Sequence, residues 1–128
     1  MSYKNLEIWQ LAREVSIEIH KMTLNELPKF ELYEEGSQIR RSMKSVRSNI
    51  VEGHGRKVYQ AELYKFIVYS LSSNDETIDH LEILFESGSL KNEILYSELK
   101  KKLETLGKKI NLFLQAVEKN LPPNKKSG

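Results

Sequence analysis

The sequence predicts an all-α protein, specifically an antiparallel up-down four-helix bundle. Apolar residues recur every three or four positions in four separate segments, as one face of a helix requires. No segment shows the alternation of apolar and polar residues that is typical of a strand. Because the connections between the four segments are short, we expect consecutive helices to be neighbours that run in opposite directions.

The first helix is predicted over residues 5–23. Asn5 is the predicted N-cap, and Leu27-Pro28 ends the connection because a residue before proline is driven out of the α region. Trp9, the only tryptophan, lies on the apolar face and is predicted to sit in the core or at an interface. The apolar stripe consists of Ile8, Ala12, Val15, Ile19 and Met22.

The second helix carries its apolar stripe on Ile39, Met43, Val46 and Ile50. Either Gly53 or Gly55 is predicted to end it, since glycine readily adopts the left-handed conformation that closes a helix. One flank of the stripe is a strip of small polar residues, which would let another helix approach closely. This strip is Ser42, Ser45, Ser48 and Asn49.

The third helix is predicted to run continuously from Tyr59 to Phe85, before the break ESGSL. Polar residues at 72–75 interrupt its apolar stripe, and Ser73 to Glu76 spells a capping box. A kink or a second helix start at this point is therefore the alternative to one continuous helix.

The fourth helix has the most regular pattern, a heptad seam from Tyr96 to Val117. Within the seam, Leu103, Leu106, Ile110 and Phe113 are predicted to be buried. The bundle is expected to occupy residues 1–121, and the polar residues 122–128 are expected to form a flexible C-terminal tail.

Composition excludes several classes of protein. A chain of 128 residues suits one domain with one core. No cysteine is present, so disulfides, thiolate metal sites and thiol nucleophiles are excluded. No apolar run reaches the ~20 residues that cross a bilayer, and the N-terminus lacks the layout of a signal peptide. The sequence therefore predicts a cytoplasmic protein without a membrane partner.

Positive charge is concentrated in the second helix and just beyond it. Residues 36–57 contain six basic residues and one acidic residue. Helical spacing spreads the first four of these over one side of the helix, and we call them the basic arc: Arg40, Arg41, Lys44 and Arg47. Arg56 and Lys57 follow. Such a surface is either an ordinary solvated face or a binding surface for phosphates, to which the planar arginine side chain is well suited.

Enzymatic alternatives do not fit the sequence around NIVEGHGRK. The segment GHGRK is too short for a phosphate-binding P-loop and lacks its hydroxyl. The three histidines lie in different segments without the spacing of a helical zinc site. Glu52 is predicted to pair with Arg56 four residues on, and His54 is interpreted as a loop residue. We therefore predict no catalytic residue, no metal and no cofactor.

Three stretches carry a family resemblance over residues 3–90. The first stretch, residues 3–12, has the aromatic-x-x-Leu-x-x-Trp opening in YKNLEIWQLA. The second, residues 38–56, has Gln-Ile-Arg-Arg and Asn-Ile-x-Glu-Gly-x-x-Arg in QIRRSMKSVRSNIVEGHGR. The third, residues 73–76, is SNDE in the third helix. In combination they resemble the four-helix-bundle proteins encoded within 23S ribosomal RNA intervening sequences. The chain departs from that pattern at Ser72, where glycine is usual, at Asn74, where an apolar residue is usual, and at Val46-Arg47, where an apolar-proline pair is frequent.

The resemblance implies a ring-like homopentamer without established enzymatic activity. A related branch serves diversity-generating retroelements, where a basic pentamer engages structured RNA and a reverse transcriptase. The resemblance therefore favours RNA binding by Arg40, Arg41, Lys44, Arg47, Arg56 and Lys57. Gln38, Asn49 and Glu52 are expected to make hydrogen bonds at helix ends or interfaces. The alternatives are a scaffold for a protein partner, including a reverse transcriptase, and an unrecognised enzyme.

Overall fold

The computed structural model describes residues 2–123, and over that range the protein is all-helical. No strand occurs among these residues, and the prediction of four helices is confirmed. Of the predicted flexible tail, residues 124–128 lie outside the described residues. The α-helices are α1 (Glu7–Asn25), α2 (Glu35–Gly55), α3 (Gln60–Glu86) and α4 (Glu93–Glu118), and short 3₁₀ helices at Tyr3–Asn5 and Lys29–Leu32 precede α1 and α2.

Each helix packs against two others, in the cyclic order α1, α2, α3, α4 and back to α1. Hydrogen bonds between α2 and α3 show the relative register of these two helices. The hydroxyls of Ser42 and Thr77 lie 2.8 Å apart, and Ser70 donates to the carbonyl oxygen of Val46 at 2.9 Å. A later residue on α2 thus meets an earlier one on α3. These contacts are consistent with a bundle.

The shared core is made of aliphatic side chains from all four helices. A fully buried side chain of this kind contributes about 1.5–3 kcal/mol relative to an exposed one. The residues with no exposed surface include Ala12 and Ile19 of α1, Ile39, Val46 and Ile50 of α2, Ile67, Leu81 and Leu84 of α3, and Leu103, Leu106 and Ile110 of α4.

The predicted seam of α4 is correct at Leu103, Leu106, Ile110 and Val117 but wrong at Phe113. Leu103, Leu106 and Ile110 are fully buried, whereas Phe113 is only partly buried and Leu114 takes the buried position. The reason is that a straight α-helix has about 3.6 residues per turn, so its buried face drifts away from a strict heptad repeat.

The start of α1 lies two residues later than expected, because Asn5 is not its N-cap. Asn5 belongs to the first 3₁₀ helix, which begins where the Ser2 hydroxyl accepts a hydrogen bond from the amide of Lys4 at 3.2 Å. α1 then starts after Leu6, without a side-chain cap.

α2 ends at Gly55, one of the two predicted glycines, but neither of them adopts the predicted left-handed conformation. Gly53 and Gly55 both lie within α2, and so does His54, which is therefore not a loop residue. Within residues 2–123, Gly88 is the one residue with a positive φ, at 85°, and it lies in the predicted break after α3. Gly53 is buried against α3, where a Cβ would lie 3.3 Å from the Cβ of Phe66. Its role is close helix packing.

α3 is one continuous helix, as predicted, and the capping box at Ser73 to Glu76 does not start a new helix. Its central polar residues face the neighbouring helices. Ser70, Asn74 and Thr77 are fully buried, and each makes a hydrogen bond through its side chain. These bonds explain how polar residues interrupt the apolar stripe without interrupting the helix.

Candidate nucleic-acid interface

The four residues of the basic arc occupy two different environments. Arg41 and Lys44 are exposed, whereas Arg40 and Arg47 are half-buried. The difference arises because α1 and the second 3₁₀ helix pack along one edge of α2. Among residues 2–123, no carboxylate forms an ion pair with any of the four.

Arg40 connects α2 to the segment that precedes it. Its Nη2 donates a hydrogen bond to the carbonyl oxygen of Leu32 at 2.6 Å, and its buried Nη1 has no partner among the described residues. This arginine therefore holds the second 3₁₀ helix against α2. RNA binding by Arg40 stays a prediction.

Arg47 is held against α1 by two contacts. Its Nη1 donates to the hydroxyl of Ser16 at 3.1 Å, and its guanidinium carbon lies 5.5 Å from the centre of the Trp9 ring. The Ser16 hydroxyl in turn donates to the carbonyl oxygen of Arg13 at 2.8 Å. Trp9 belongs to the core cluster, as predicted. The guanidinium of Arg47 is thus oriented by groups on α1.

A groove runs along the contact between α1 and α2, and we call it the α1–α2 groove. Its first part has a volume of about 220 Å³ and brings His20 and Lys21 of α1 next to Lys44 of α2. His20 and Lys21 were not among the residues predicted from the sequence to bind RNA. They are isolated on α1, whose neighbouring positions include several acidic residues, and only the packing of the two helices adds them to the basic surface.

Arg56 is engaged by carboxylates, unlike the residues of the arc. Its Nε lies 2.8 Å from Glu52, which confirms the predicted pair, and its Nη1 lies 3.0 Å from Glu62. The pKa of Arg56 is raised mainly by its hydrogen bond to Glu52, and further by the charge of Glu52 and by Glu62. The pKa of Glu62 is lowered by Lys65 and by Arg56. The positive charge of Arg56 is therefore partly neutralised within the chain.

Lys57 lies beside a histidine at the end of α2. Its Nζ is 3.3 Å from Nε2 of His54. Burial lowers the pKa of His54, and the charge of Lys57 lowers it further. The imidazole therefore adds little positive charge to this end of the surface near neutral pH.

The small polar strip of α2 is used within the chain. Ser42 and Ser45 face α3, and the Ser45 hydroxyl lies 2.8 Å from that of Ser73. Asn49 donates from Nδ2 to the carbonyl oxygen of Ser45 at 2.9 Å. The strip therefore accommodates α3, so it gives no separate support for an oligomer. Gln38 is exposed near the start of α2, and its role at an interface stays a prediction.

Among residues 2–123, no group of three histidine, aspartate or glutamate side chains is arranged to hold a metal ion. None of the helices in that range is both long and apolar enough to cross a membrane.

Comparison with known families identifies a match over most of the chain. The family described as 23S rRNA-intervening sequence protein matches residues 4–112. The match extends beyond the residues that carried the resemblance in sequence and reaches well into α4. No curated protein matches the chain.

Proposed function

The chain belongs to the 23S rRNA-intervening sequence protein family, and from this premise we propose that it is a non-catalytic, cytoplasmic RNA-binding protein. The observation that carries the proposal is a surface of cations without carboxylate partners among residues 2–123. It is centred on Arg41 and Lys44 and extended by Lys21 across the α1–α2 groove. RNA presents a dense array of phosphates, so such a surface gains affinity by releasing counterions.

The individual basic residues have different roles in this proposal. Arg41 and Lys44 contact phosphates directly, and Arg47 presents a guanidinium that Ser16 and Trp9 already orient. Arg40 contributes mainly charge, because it also secures the second 3₁₀ helix. Arg56 and Lys57 lie at the edge of this RNA-binding surface, where Glu52 and Glu62 reduce the local positive charge.

The architecture that we infer for the chain is an antiparallel up-down bundle. Its support is the order of the contacts between α3 and α4. Near the end of α3, the ring of Phe85 stacks on that of Tyr96 near the start of α4, with ring centres 4.0 Å apart. Asn74, earlier on α3, contacts Leu103, later on α4, as expected for two helices that run in opposite directions. Each loop is short enough for consecutive helices to be neighbours. In such a bundle α2 has one long side that faces solvent.

We further propose that the bundle assembles as a homopentamer. Residues 36–57 are strongly basic, whereas residues 58–96 contain seven acidic and two basic residues. Asp75 and Asp79 are exposed on α3 and can meet basic residues of a neighbouring copy other than Arg41 and Lys44, which stay open to RNA. Two different complementary patches on each copy form a heterologous interface, which closes into a ring. Individually weak phosphate contacts would then add up through multivalency.

The function is tested by titrating labelled RNA hairpins at several salt concentrations. We expect tight binding at low salt that weakens steeply as salt rises. An Arg41→Glu, Lys44→Glu double variant should lose most of this affinity. A matched Lys101→Glu, Lys108→Glu variant on α4 makes the same charge change at exposed positions and should retain it. Equal losses in the two variants, or no binding by the native protein at low salt, would refute the proposal.

The oligomeric state is tested separately by light scattering. We expect a mass close to five copies of the 14.9 kDa chain. A monomer across the micromolar range would contradict the ring.

A second candidate function, a scaffold for a protein partner such as a retroelement reverse transcriptase, has its own supporting observation. Aromatic side chains are exposed at the second 3₁₀ helix, Phe30 at 62% and Tyr33 at 84%. Exposed aromatic residues are enriched in protein–protein interfaces. Retention of a purified partner by the Arg41→Glu, Lys44→Glu variant, and its loss in a Phe30→Ser, Tyr33→Ser variant, would favour this function over RNA binding.

A further inference from the structure

The α1–α2 groove consists of two depressions that share a wall. The first has a volume of about 220 Å³ and the second about 260 Å³. Lys44 and Arg47 line both, so these two cations separate the depressions. Along the groove, a positively charged wall formed by Lys44 and Arg47 thus lies between two depressions.

The recessed surfaces are mainly apolar or aromatic. Ile17 and Met43 line the first depression, and Tyr3, Trp9 and Val51 line the second. Tyr3 and Trp9 contact each other edge to face, with ring centres 5.2 Å apart. Apolar and aromatic surfaces of this size suit the flat face of a nucleobase, which binds proteins largely by stacking and apolar contact.

The shared wall suits a phosphate. The guanidinium of Arg47 is fixed by the Ser16 hydroxyl at 3.1 Å and by the Trp9 ring, so little side-chain freedom is lost when an anion binds. A planar guanidinium also presents parallel N–H donors to phosphate oxygens. The exposed ammonium of Lys44 adds a second positive charge at the same place.

We propose that the α1–α2 groove binds two consecutive unpaired nucleotides of an RNA chain. One base occupies each depression, and the phosphate that links them lies against Lys44 and Arg47. This inference rests on the proposed RNA-binding function and goes beyond it by naming the form of RNA that is bound. In a duplex the base faces are stacked and the edges paired, so a paired stem cannot fill the depressions.

Trp9 makes the proposal testable, because it is the only tryptophan of the chain and lines the second depression. Its fluorescence is recorded while the native protein is titrated with a uridine dodecamer, an RNA duplex of the same length, or inorganic polyphosphate. We expect the single strand to change the Trp9 emission at saturation well beyond any change that polyphosphate produces through Arg47, which lies over the Trp9 ring. The same change with polyphosphate or with the duplex would overturn the inference, since neither offers unpaired bases.

A matched pair of variants locates the site. Lys44→Gln and Lys108→Gln each remove one positive charge from an exposed lysine, on α2 and on α4, but only Lys44 lines the groove. We expect Lys44→Gln to weaken binding of the dodecamer by about fivefold, as loss of one phosphate contact would. Lys108→Gln should change it by less than about twofold and preserve the Trp9 response. Equal effects of the two variants would overturn the inference.

The two proposals fail in different ways. If hairpins bind with steep salt dependence but the single strand leaves Trp9 emission unchanged, the groove does not hold unpaired nucleotides and the RNA-binding function stands. If no RNA binds even at low salt, the function and the inference fail together.

Discussion

Asn74 of α3 donates a hydrogen bond from its side-chain amide to the backbone carbonyl oxygen of Leu103 on α4, at 2.9 Å. The amide is fully buried, and its Oδ1 has no partner among residues 2–123. Gly107 lies beside it, where a Cβ would come within 3.1 Å of the amide nitrogen. A polar residue in the core of α3 is thus accommodated by a glycine on α4.

This relationship predicts a coupling between the two positions. Alanine in place of a helical glycine stabilises a helix by about 0.5–1 kcal/mol. In the native background Gly107→Ala should raise the free energy of unfolding by less than that, because the added alanine methyl group crowds the Asn74 amide. In an Asn74→Ala background the full gain should appear. Urea denaturation of all four proteins measures the coupling, and identical effects of Gly107→Ala in both backgrounds would show that the contact is unimportant.

A second prediction concerns the core of α4. Leu106 has no exposed surface, so Leu106→Ala should lower the free energy of unfolding by about 2–5 kcal/mol through lost burial and a cavity. Leu112 lies on the same helix but is 62% exposed, and Leu112→Ala should change stability by no more than about 0.5 kcal/mol. Thermal and urea denaturation compare the two. A small effect of Leu106→Ala would contradict its place in the core.

The two glycines at the end of α2 should respond in opposite directions. At Gly53 a Cβ would lie 3.3 Å from the Cβ of Phe66, an atom fixed to the backbone that cannot rotate away. Gly53→Ala should therefore destabilise the protein by about 1–3 kcal/mol through overpacking. At Gly55 nothing lies within 4 Å of the added Cβ, so Gly55→Ala should stabilise by about 0.5–1 kcal/mol. Chemical denaturation of both variants would show whether the signs differ.

The titration of His54 gives a prediction about pH. Burial and the charge of Lys57 lower the pKa of His54 below the ordinary value of 6.5. As pH falls through 6.5 the unfolded chain binds a proton before the folded chain does, so this residue makes stability decrease toward acid pH. Nuclear magnetic resonance should give a pKa below 6.5 for His54, and Lys57→Gln should move it upward. A His54→Asn variant should lose this part of the pH dependence. A pKa at or above the ordinary value would contradict the prediction.

The salt dependence of RNA binding should separate two kinds of basic residue. Lys44→Gln is expected to reduce the slope of log affinity against log salt by about 0.7–0.9, the change for one lost phosphate contact. Arg56→Gln removes the same charge but should leave the slope nearly unchanged, because Arg56 is engaged by Glu52 and Glu62. Equal changes in slope would mean that Arg56 contacts phosphate in spite of its carboxylate partners.

Helical periodicity in the sequence was sufficient to predict which side of each helix is buried. The stripe Ile39, Val46 and Ile50 and the seam Leu103, Leu106 and Ile110 are all in the core, because a period near 3.6 residues places them on one face. A local contact between residues four positions apart was also predictable, as the Glu52–Arg56 pair at the end of α2 shows. Helix ends were less predictable, since Ser2 and the first 3₁₀ helix displaced the start of α1.

Only the tertiary structure decided which neighbouring helix packs against the polar and basic sides of each helix. The period of a helix fixes the directions of its side chains, but not the helix that packs against each direction. The small polar strip of α2 was recognised in sequence, yet its partner, α3, was not. Likewise, the packing of α1 against α2 holds Arg47 on Ser16 and Trp9 and leaves Arg41 exposed. The α1–α2 groove exists because two helices that are unremarkable separately place their basic and apolar edges side by side.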